Sequence, residues 1–377
     1  MPNKKLVGFI IFCIIMMMFG VSRFFMLKGI QAGAIKVLEV KNHKFTRSLF
    51  TFTFESPYQD KIVEMAENER LPELVDKAPN EFEKILIIRR WVKHQLETGD
   101  FPYPYPPWDA SVILDWCRSG KTTAFCGQHA IVFAQALIAL NIPVRYLDIA
   151  RKDREGHFLT EIWSREFKKW IVMDPYFGLH FEKDHLPLSA LEMHNALISA
   201  TYEGIAVVRD NGILYNEYDT KKYIDFYFTF GILFRNDHMS NPAIISSLED
   251  QKNMRRRVIY TEPMLQYSDS VSKSMLVFRH PSSVYLEDFY WEPDLVVIRV
   301  ADINYGRGEI ELEFQNMISD KDFYVYIGTG RMKYKKVDHN YTWKLKEGYN
   351  KLYVMNQLYD VDVGEFIQSY IAVEYTP

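Results

Sequence analysis

The chain has 377 residues, of which 48% are hydrophobic and 25% are charged, which is ordinary globular composition with room for two or three domains. Its formal net charge of −4 is spread without long acidic or basic blocks, so the sequence lacks the electrostatic footprint of a nucleic-acid-binding protein. Nucleic acid is therefore excluded as a partner. The three cysteines, Cys13, Cys117 and Cys126, are too few for a disulfide framework, although Cys117 and Cys126 could still pair.

The N-terminus carries an apolar run that predicts a membrane anchor. Lys4 and Lys5 precede residues 6–27, which are apolar except for Ser22 and Arg23. This length reaches the roughly 20 residues that a membrane span needs, and it exceeds the usual apolar region of a cleaved signal peptide. We therefore expect a single-pass anchor in the lipid bilayer. The two leading lysines favour an N-terminus in the cytosol and an extracytoplasmic body.

A helix and a proline-rich stretch follow the linker. Asn80 and Glu83 form a capping-box pattern that predicts a helix ending near Leu96. Residues 101–108, Phe-Pro-Tyr-Pro-Tyr-Pro-Pro-Trp, fit neither a helix nor a central strand. They are predicted to be an extended surface loop.

A second helix is predicted from Cys126 to Leu140. At about 100° per residue, its apolar side chains share a stripe with Cys126, whereas Gln128 and Gln135 lie opposite. The thiol is therefore expected on the core side of the helix. His129, one turn beyond Cys126, is expected at the polar rim of a pocket.

The order of the elements predicts an α+β fold, because strands at about residues 144–149, 158–163 and 170–174 follow the helices. Alternating apolar runs separated by turn signals predict a β-sandwich at residues 286–377. The predicted domains are an anchor (1–28), a linker with a strand (29–59), a thiol domain in which the Cys126 helix packs on an antiparallel sheet (60–200), an uninterpreted extension of mixed strands (201–285) and the β-sandwich (286–377).

Cys126 has the sequence surroundings of an activated nucleophile. As the first residue of a helix, it would lie at the positive end of the helix dipole, which stabilises a thiolate and a developing oxyanion. A nucleophilic thiol also needs a base within hydrogen-bond reach and a group that orients the base. The candidates for the side chain that completes an oxyanion hole are Gln95, Trp91 and Trp108.

The hairpin that follows the helix predicts that His157 lies beside Asp174. Strands 157–163 and 168–174, joined by residues 164–167, would place these two residues directly opposite each other. Directly opposed Cβ atoms lie roughly 5 Å apart, which brings imidazole Nδ1–H within reach of a carboxylate. A slip of one residue would put the two side chains on opposite faces, so the prediction depends on the turn length.

Four linked segments resemble the transglutaminase-like superfamily. They are Phe-Cys-Gly-Gln-His-Ala at 125–130, Leu-Asn-Ile-Pro-Val-Arg-Tyr at 140–146, Gly-His at 156–157 with Glu161 four residues on, and Trp-Ile-Val-Met-Asp-Pro at 170–175. The resemblance covers roughly residues 60–200 and implies a papain-like fold. It implies Cys126 as the nucleophile, His157 as the general base and Asp174 as the orienting acid. Phe158 and Leu159 stand where the family often has Ala-Trp, which bears on the substrate rather than on the triad.

The predicted function is an anchored extracytoplasmic cysteine enzyme that acts on amide bonds of a protein or peptide, or of a cell-envelope polymer, through a thioester. Hydrolysis is favoured over cross-linking. The alternative is a non-catalytic envelope-binding or scaffold protein that keeps the fold, which would be favoured if the proline-rich loop or Cys117 covered Cys126. A third option, an intracellular protein, requires that residues 6–27 are not a signal.

Two further patterns are interpreted as structural. Residues 119–122, Ser-Gly-Lys-Thr, resemble the end of a phosphate-binding loop, but Asp115 stands where that motif needs glycine. They are predicted to be a loop leading into the Cys126 helix. His180, His185 and His194 lack metal-ligand spacing, so neither a metal nor a cofactor is predicted.

Overall fold

The structure is a computed structural model, and it describes residues 34–41, 50, 52–99, 102, 104–210, 212–214, 217–242, 262–272, 280–293, 296–316, 323–327, 334–355 and 369–377. The predicted anchor at residues 6–27 lies outside these ranges. Within them, no helix is long and apolar enough to cross a membrane. The chain divides into a thiol unit (46–293 and 317–320) and a sandwich unit (1–45, 294–316 and 321–377).

The described residues form helices and sheets that are antiparallel except for the β10–β11 pair, which makes the fold α+β as predicted. The helices are α1 (Asp60–Asn68), α2 (Leu71–Val75), α3 (Glu81–Gln95), α4 (Ala110–Arg118), α5 (Cys126–Ala139), α6 (Ala190–Ile198) and α7 (Glu217–Ile224). The strands are β1 (Ala34–Lys41), β2 (Val144–Ala150), β3 (Gly156–Ser164), β4 (Lys169–Met173), β5 (Leu179–Lys183), β6 (Leu186–Pro187), β7 (Ile205–Arg209), β8 (Gly212–Leu214), β9 (Thr229–Leu233), β10 (Met264–Tyr267), β11 (Ser282–Ser283), β12 (Val296–Asn304), β13 (Glu309–Asn316), β14 (Phe323–Ile327), β15 (Tyr334–Val337), β16 (Asn340–Lys344), β17 (Gly348–Met355) and β18 (Ser369–Thr376).

Helix α5 begins at Cys126 as predicted, but it is buried on all sides. It packs on α1, α3 and α4 and also on β2 and β3. Gln128 and Gln135 are fully buried, so the single apolar stripe was a wrong prediction. Gln135 accepts a hydrogen bond from the Ala110 N–H at 2.7 Å and donates to the Trp108 carbonyl oxygen at 2.9 Å. The sheet packs on one side of the helix and α4 on the other, and a buried amide there satisfies backbone groups that would otherwise lack partners.

The hairpin of β3 and β4 is shifted from the predicted register by two residues. Thr160 pairs with Met173 and Ser164 pairs with Lys169. The turn therefore occupies residues 165–168, one position later than expected, with Lys168 in the left-handed region at φ 51°. A shift of two residues keeps every side chain on its predicted face, whereas a shift of one would not.

The described residues of the 201–285 segment belong to the thiol unit. Strands β9, β10 and β11 extend the sheet of β2, β3 and β4, in the order β11-β10-β9-β2-β3-β4. A second sheet has the order β6-β5-β7-β8. The sequence hid this because β9 is largely buried, with Phe230 and Ile232 at 2% and 0% exposure, and a buried strand does not alternate in polarity.

The sandwich unit consists of a five-stranded sheet, β1-β18-β17-β14-β15, and a three-stranded sheet, β12-β13-β16. Both sheets contribute to one apolar core, with Phe314 and Trp343 from one sheet and Leu352 and Ile371 from the other. Strand β1, predicted as part of a linker, pairs antiparallel with β18 and completes this unit. Two sheets around a shared core are the architecture that the alternating runs predict.

Candidate functional site: a thiol, an imidazole and a carboxylate

Cys126 is held by a short segment, residues 97–99, which we call the strap. Ala124 donates to the Glu97 carbonyl oxygen at 3.1 Å and accepts from the Gly99 N–H at 2.8 Å. A Cβ on Gly99 would lie 2.6 Å from Thr123 Cβ, so the close approach requires glycine. The strap therefore fixes the chain two residues before the thiol, and Cys126 itself is half-buried.

The structure brings Cys126, His157 and Asp174 together. The Cys126 thiol lies near enough to the His157 imidazole to help raise the pKa of that imidazole. His157 Nε2 lies 2.7 Å from Asp174 Oδ2, and both side chains are nearly fully buried. Asp174 Oδ1 accepts the Phe177 N–H at 2.9 Å, which fixes the carboxylate.

The ring nitrogen that faces Asp174 is Nε2 rather than the predicted Nδ1. Because the turn comes one residue later, the observed register sets Thr160 opposite Met173, and Asp174 is not directly opposite His157. Asp174 therefore lies diagonally to the imidazole, just past the end of β4. This arrangement leaves Nδ1 as the nitrogen for the thiol.

The surroundings of His157 favour its protonated form. Burial lowers the pKa of the imidazole, but the charge and hydrogen bond of Asp174, with a contribution from Cys126, outweigh burial and raise that pKa. The rings of Phe177, Phe226 and Tyr176 lie 4.9, 5.6 and 5.9 Å from the imidazole centroid. These rings exclude water, which strengthens the interaction between an imidazolium and a thiolate.

The three predicted candidates for the oxyanion hole occupy different places. Gln95 accepts from Arg118 Nη2 at 2.7 Å on the protein surface. Trp91 is partly buried against the helical core. Trp108 is buried, and its Nε1–H donates to the Tyr105 hydroxyl at 3.2 Å.

Tyr105 is the residue that sequence reasoning missed. Its hydroxyl lies 3.8 Å from the position that a Cβ on Gly127 would occupy, and it interacts electrostatically with Cys126. Burial raises the pKa of Tyr105, so the hydroxyl stays protonated and can donate. The described residues of the proline-rich stretch form neither helix nor strand, as predicted, but the predicted surface position was wrong, because Tyr105 and Trp108 are each only 2% exposed.

His129 differs from the expectation, and Cys117 and Cys126 are unpaired. His129 is fully buried rather than at a polar rim, and burial lowers its pKa to about 4. Its Nδ1 lies 2.9 Å from the Phe125 carbonyl oxygen. Cys117 and Cys126 are both free thiols, so the disulfide between them is not formed.

His180 and His194 form ion-pair or hydrogen-bond contacts, and residues 119–122 form a loop. His180 contacts Arg89 and Glu182, and His194 contacts Asp269. Residues 119–122 form the loop after α4. No group of three His, Cys, Asp or Glu side chains among the described residues is arranged to hold a metal ion.

Residues 69–175 match the model of the transglutaminase-like superfamily, and this range contains Cys126, His157 and Asp174. They form a transglutaminase-like domain. The match supports a cysteine enzyme as the kind of protein. No curated protein matches the sequence at a significant level.

One similar solved structure is a candidate cysteine protease from Cytophaga hutchinsonii. It shares 20% sequence identity with this chain, and the TM-score is 0.26. The alignment covers 33% of this chain and 40% of that one, so this chain spans two fifths of the length of that structure.

Proposed function

We propose that the protein is an anchored cysteine amidase or peptidase that uses Cys126 as its nucleophile. The observation that carries the proposal is the grouping of a half-buried Cys126 thiol that influences His157 with a His157 Nε2 that lies 2.7 Å from Asp174 Oδ2. A nucleophile, a base within hydrogen-bond reach and a group that orients the base are the parts that covalent acyl transfer needs.

The reaction begins with the thiol proton on His157. The Cys126 sulfur attacks the amide carbonyl carbon, and the resulting tetrahedral intermediate collapses as the C–N bond breaks and His157 gives its proton to the leaving amine. The product is a thioester on Cys126. His157 then takes a proton from water, the hydroxide attacks the thioester carbon, and the C–S bond breaks to release a carboxylic acid.

The oxyanion of the intermediate needs hydrogen-bond donors next to the sulfur. The N-terminus of α5 provides backbone N–H groups, and the Tyr105 hydroxyl provides a side-chain donor beside Cys126 and Gly127. Losing one such donor typically lowers kcat by about 100-fold to 1000-fold. Tyr105→Phe should therefore lower amide turnover by about 100-fold.

The same variant provides an internal control, because alkylation by iodoacetamide forms no oxyanion. Cys126 in Tyr105→Phe should react with iodoacetamide at the wild-type rate. Equal losses in turnover and alkylation would instead assign Tyr105 a role in packing.

The acceptor is proposed to be water, and the substrate a protein or peptide, or an envelope polymer that carries amide bonds. With residues 6–27 as the anchor, the body is proposed to act outside the cytosol. A primary amine on a protein is the competing acceptor and would make the enzyme a cross-linking transglutaminase.

The test traps the acyl-enzyme in the full-length chain. Wild-type protein, Cys126→Ala and His157→Ala are incubated with a peptide library in the presence of hydroxylamine, and the resulting hydroxamates are detected by mass spectrometry. Hydroxamate from the wild type alone supports the thioester. Replacing hydroxylamine with a fluorescent primary amine compares aminolysis with hydrolysis.

The opposite result has a defined meaning. If Cys126 in the wild type reacts with iodoacetamide no faster than it does in His157→Ala, and no hydroxamate forms, the non-catalytic binding protein becomes the better explanation. The half-buried thiol argues against that alternative, because neither the proline-rich stretch nor Cys117 covers it completely.

A further inference from the structure

Lys93, in the last turn of α3, contacts two segments of the site, the strap that precedes Cys126 and the turn that follows Asp174. Its Nζ donates to Thr98 Oγ1 at 3.2 Å and also to the Tyr176 carbonyl oxygen. The ammonium also lies 5.4 Å from the centroid of the Tyr176 ring. One flexible side chain therefore holds two segments that are far apart in sequence.

The first of these segments is the strap. Thr98 forms a bridge with Ala124, and the flanking strap residues exchange two backbone hydrogen bonds with Ala124. Because Ala124 lies two residues before Cys126, the position of the strap determines where the first turn of α5 begins. A contact to Thr98 therefore helps to fix the segment that carries Cys126.

The second segment is the turn that follows Asp174. Tyr176 lies two residues beyond the carboxylate, and its ring contacts both His157 at 5.9 Å and His129 at 5.2 Å between centroids. The Tyr176 carbonyl oxygen that accepts from Lys93 thus belongs to a turn that contacts His157 and follows Asp174.

Charge fits the same placement. Burial lowers the pKa of Lys93, while the nearby carboxylates of Asp174 and Asp210 favour the ammonium form and offset part of that effect. An ammonium offers three donors, which suits a side chain that must bond two oxygens and lie against a ring at the same time.

We propose that Lys93 is a positioning residue that fixes the separation between the Cys126 thiol and the His157–Asp174 pair. This inference rests on the proposed function, because it assigns Lys93 a role in that thiol chemistry. Displacing reacting groups by about 1 Å can lower a rate by about 100-fold. A side chain that keeps the thiol and the His157–Asp174 pair at a fixed separation therefore raises the reaction rate.

The experiment measures the rate at which iodoacetamide alkylates Cys126 in the full-length chain from pH 5 to 9, by mass spectrometry of the Cys126 peptide. Lys93→Met removes both bonds, Thr98→Val removes only the strap bond, and Lys93→Arg keeps a charged donor. Lys84→Met, on the same helix near its start, is the matched control. His157→Ala defines the rate of a thiol without its base.

We expect Lys93→Met to lower the rate at pH 6 by about tenfold and to move the pH profile toward that of His157→Ala. Lys93→Arg should recover most of the rate, and Lys84→Met should match the wild type. Adding Thr98→Val to Lys93→Met should cause little further loss, because both changes break one connection.

Two results would overturn the inference. One is a wild-type pH profile in Lys93→Met, which would limit Lys93 to folding stability. The other is an additive loss in the double variant, which would show that the two residues act independently. If circular dichroism shows that Lys93→Met does not fold, Thr98→Val and Lys93→Arg decide the question. Wild-type alkylation in Thr98→Val would overturn the inference. Slower alkylation in Thr98→Val, with near-wild-type alkylation in Lys93→Arg, would support it.

The proposed function fails by a different result. If wild-type Cys126 shows no dependence on His157, the thiol is not activated and Lys93 has nothing to position. If that dependence is present and Lys93→Met leaves it unchanged, only the Lys93 inference is wrong.

Discussion

The two units of the molecule differ in what they bury. In the described part of the sandwich unit, the core cluster is apolar, and the buried polar side chains are Asn350 and Ser369. The thiol unit instead buries Arg145, Glu161 and Asp174 together with several histidines. Removing a charge from water is costly unless a partner compensates, so buried charges need a reason to persist. The two units therefore differ in their cores, which are apolar in the sandwich unit and contain paired, buried charges in the thiol unit.

The pair Arg145–Glu161 shows how the thiol unit keeps its charges. Arg145 Nε and Nη2 lie 3.0 and 2.5 Å from Glu161 Oε2, with both side chains almost fully buried. The guanidinium carbon lies 4.1 Å from the centroid of the Trp170 ring. Glu161 Oε1 also accepts the Ala190 N–H at the start of α6. The pair thus ties β2 and β3 to α6.

The largest effect is expected in the apolar core. Trp343 is fully buried in the sandwich unit, and Trp343→Ala should lower the free energy of unfolding by about 3–5 kcal/mol. Urea unfolding gives the magnitude, and hydrogen exchange measured peptide by peptide locates it. If the sandwich unit contributes stability but no part of the thiol site, alkylation of Cys126 stays at the wild-type rate. A slowed alkylation would show that the sandwich unit contributes to the site.

A somewhat smaller loss is expected when the buried charge pair is broken. Glu161→Gln leaves the Arg145 guanidinium buried without its counter-charge, which should lower the free energy of unfolding by about 3 kcal/mol. The control is the surface pair Arg299–Glu313 of the sandwich unit, at 3.4 Å, where Glu313→Ala should change stability by less than about 1 kcal/mol. Equal losses in both variants would contradict the comparison.

The next effect is a loss of stability at acidic pH that His129 causes. Burial lowers the pKa of His129 to about 4, below the roughly 6.5 of an unfolded histidine, so folding favours the neutral ring. Its contribution is full above about pH 6.5 and is lost as the pH falls toward 4, by about 3 kcal/mol in total. His129→Gln should flatten the decrease in unfolding free energy over that interval.

His157 makes the free energy of unfolding depend on pH in the opposite direction. Its folded-state pKa is raised, so its contribution is full below about pH 6.5 and is lost as the pH rises through the raised value. Urea midpoints from pH 4 to 9 separate the two histidines. His94→Gln, an exposed change on α3, is the control and should leave the curve unchanged. An acid limb that persists in His129→Gln would place the sensitivity elsewhere.

The sequence predicted the strands of the sandwich unit and the helix start at Cys126 well, because both depend on local patterns. Strands β12, β13 and β14 lie within residues 286–377, where alternating apolar runs predicted the β-sandwich. Alternation reports one buried and one solvated face, which a sandwich strand has. The all-round burial of α5 was not predicted, and β9 was not located within the mixed strands of 201–285, because a buried element has no alternation of polar and apolar residues.

The sequence by itself determined which side chains could form the thiol site, because their chemistry and the helix and strand patterns around Cys126, His157 and Asp174 are local. Tertiary structure alone decided the register of the β3–β4 turn and hence the nitrogen that faces Asp174. It also decided that Tyr105 lies beside the first turn of α5. These features depend on how distant segments pack, and packing is set by the summed contacts of the whole unit rather than by any short stretch of sequence.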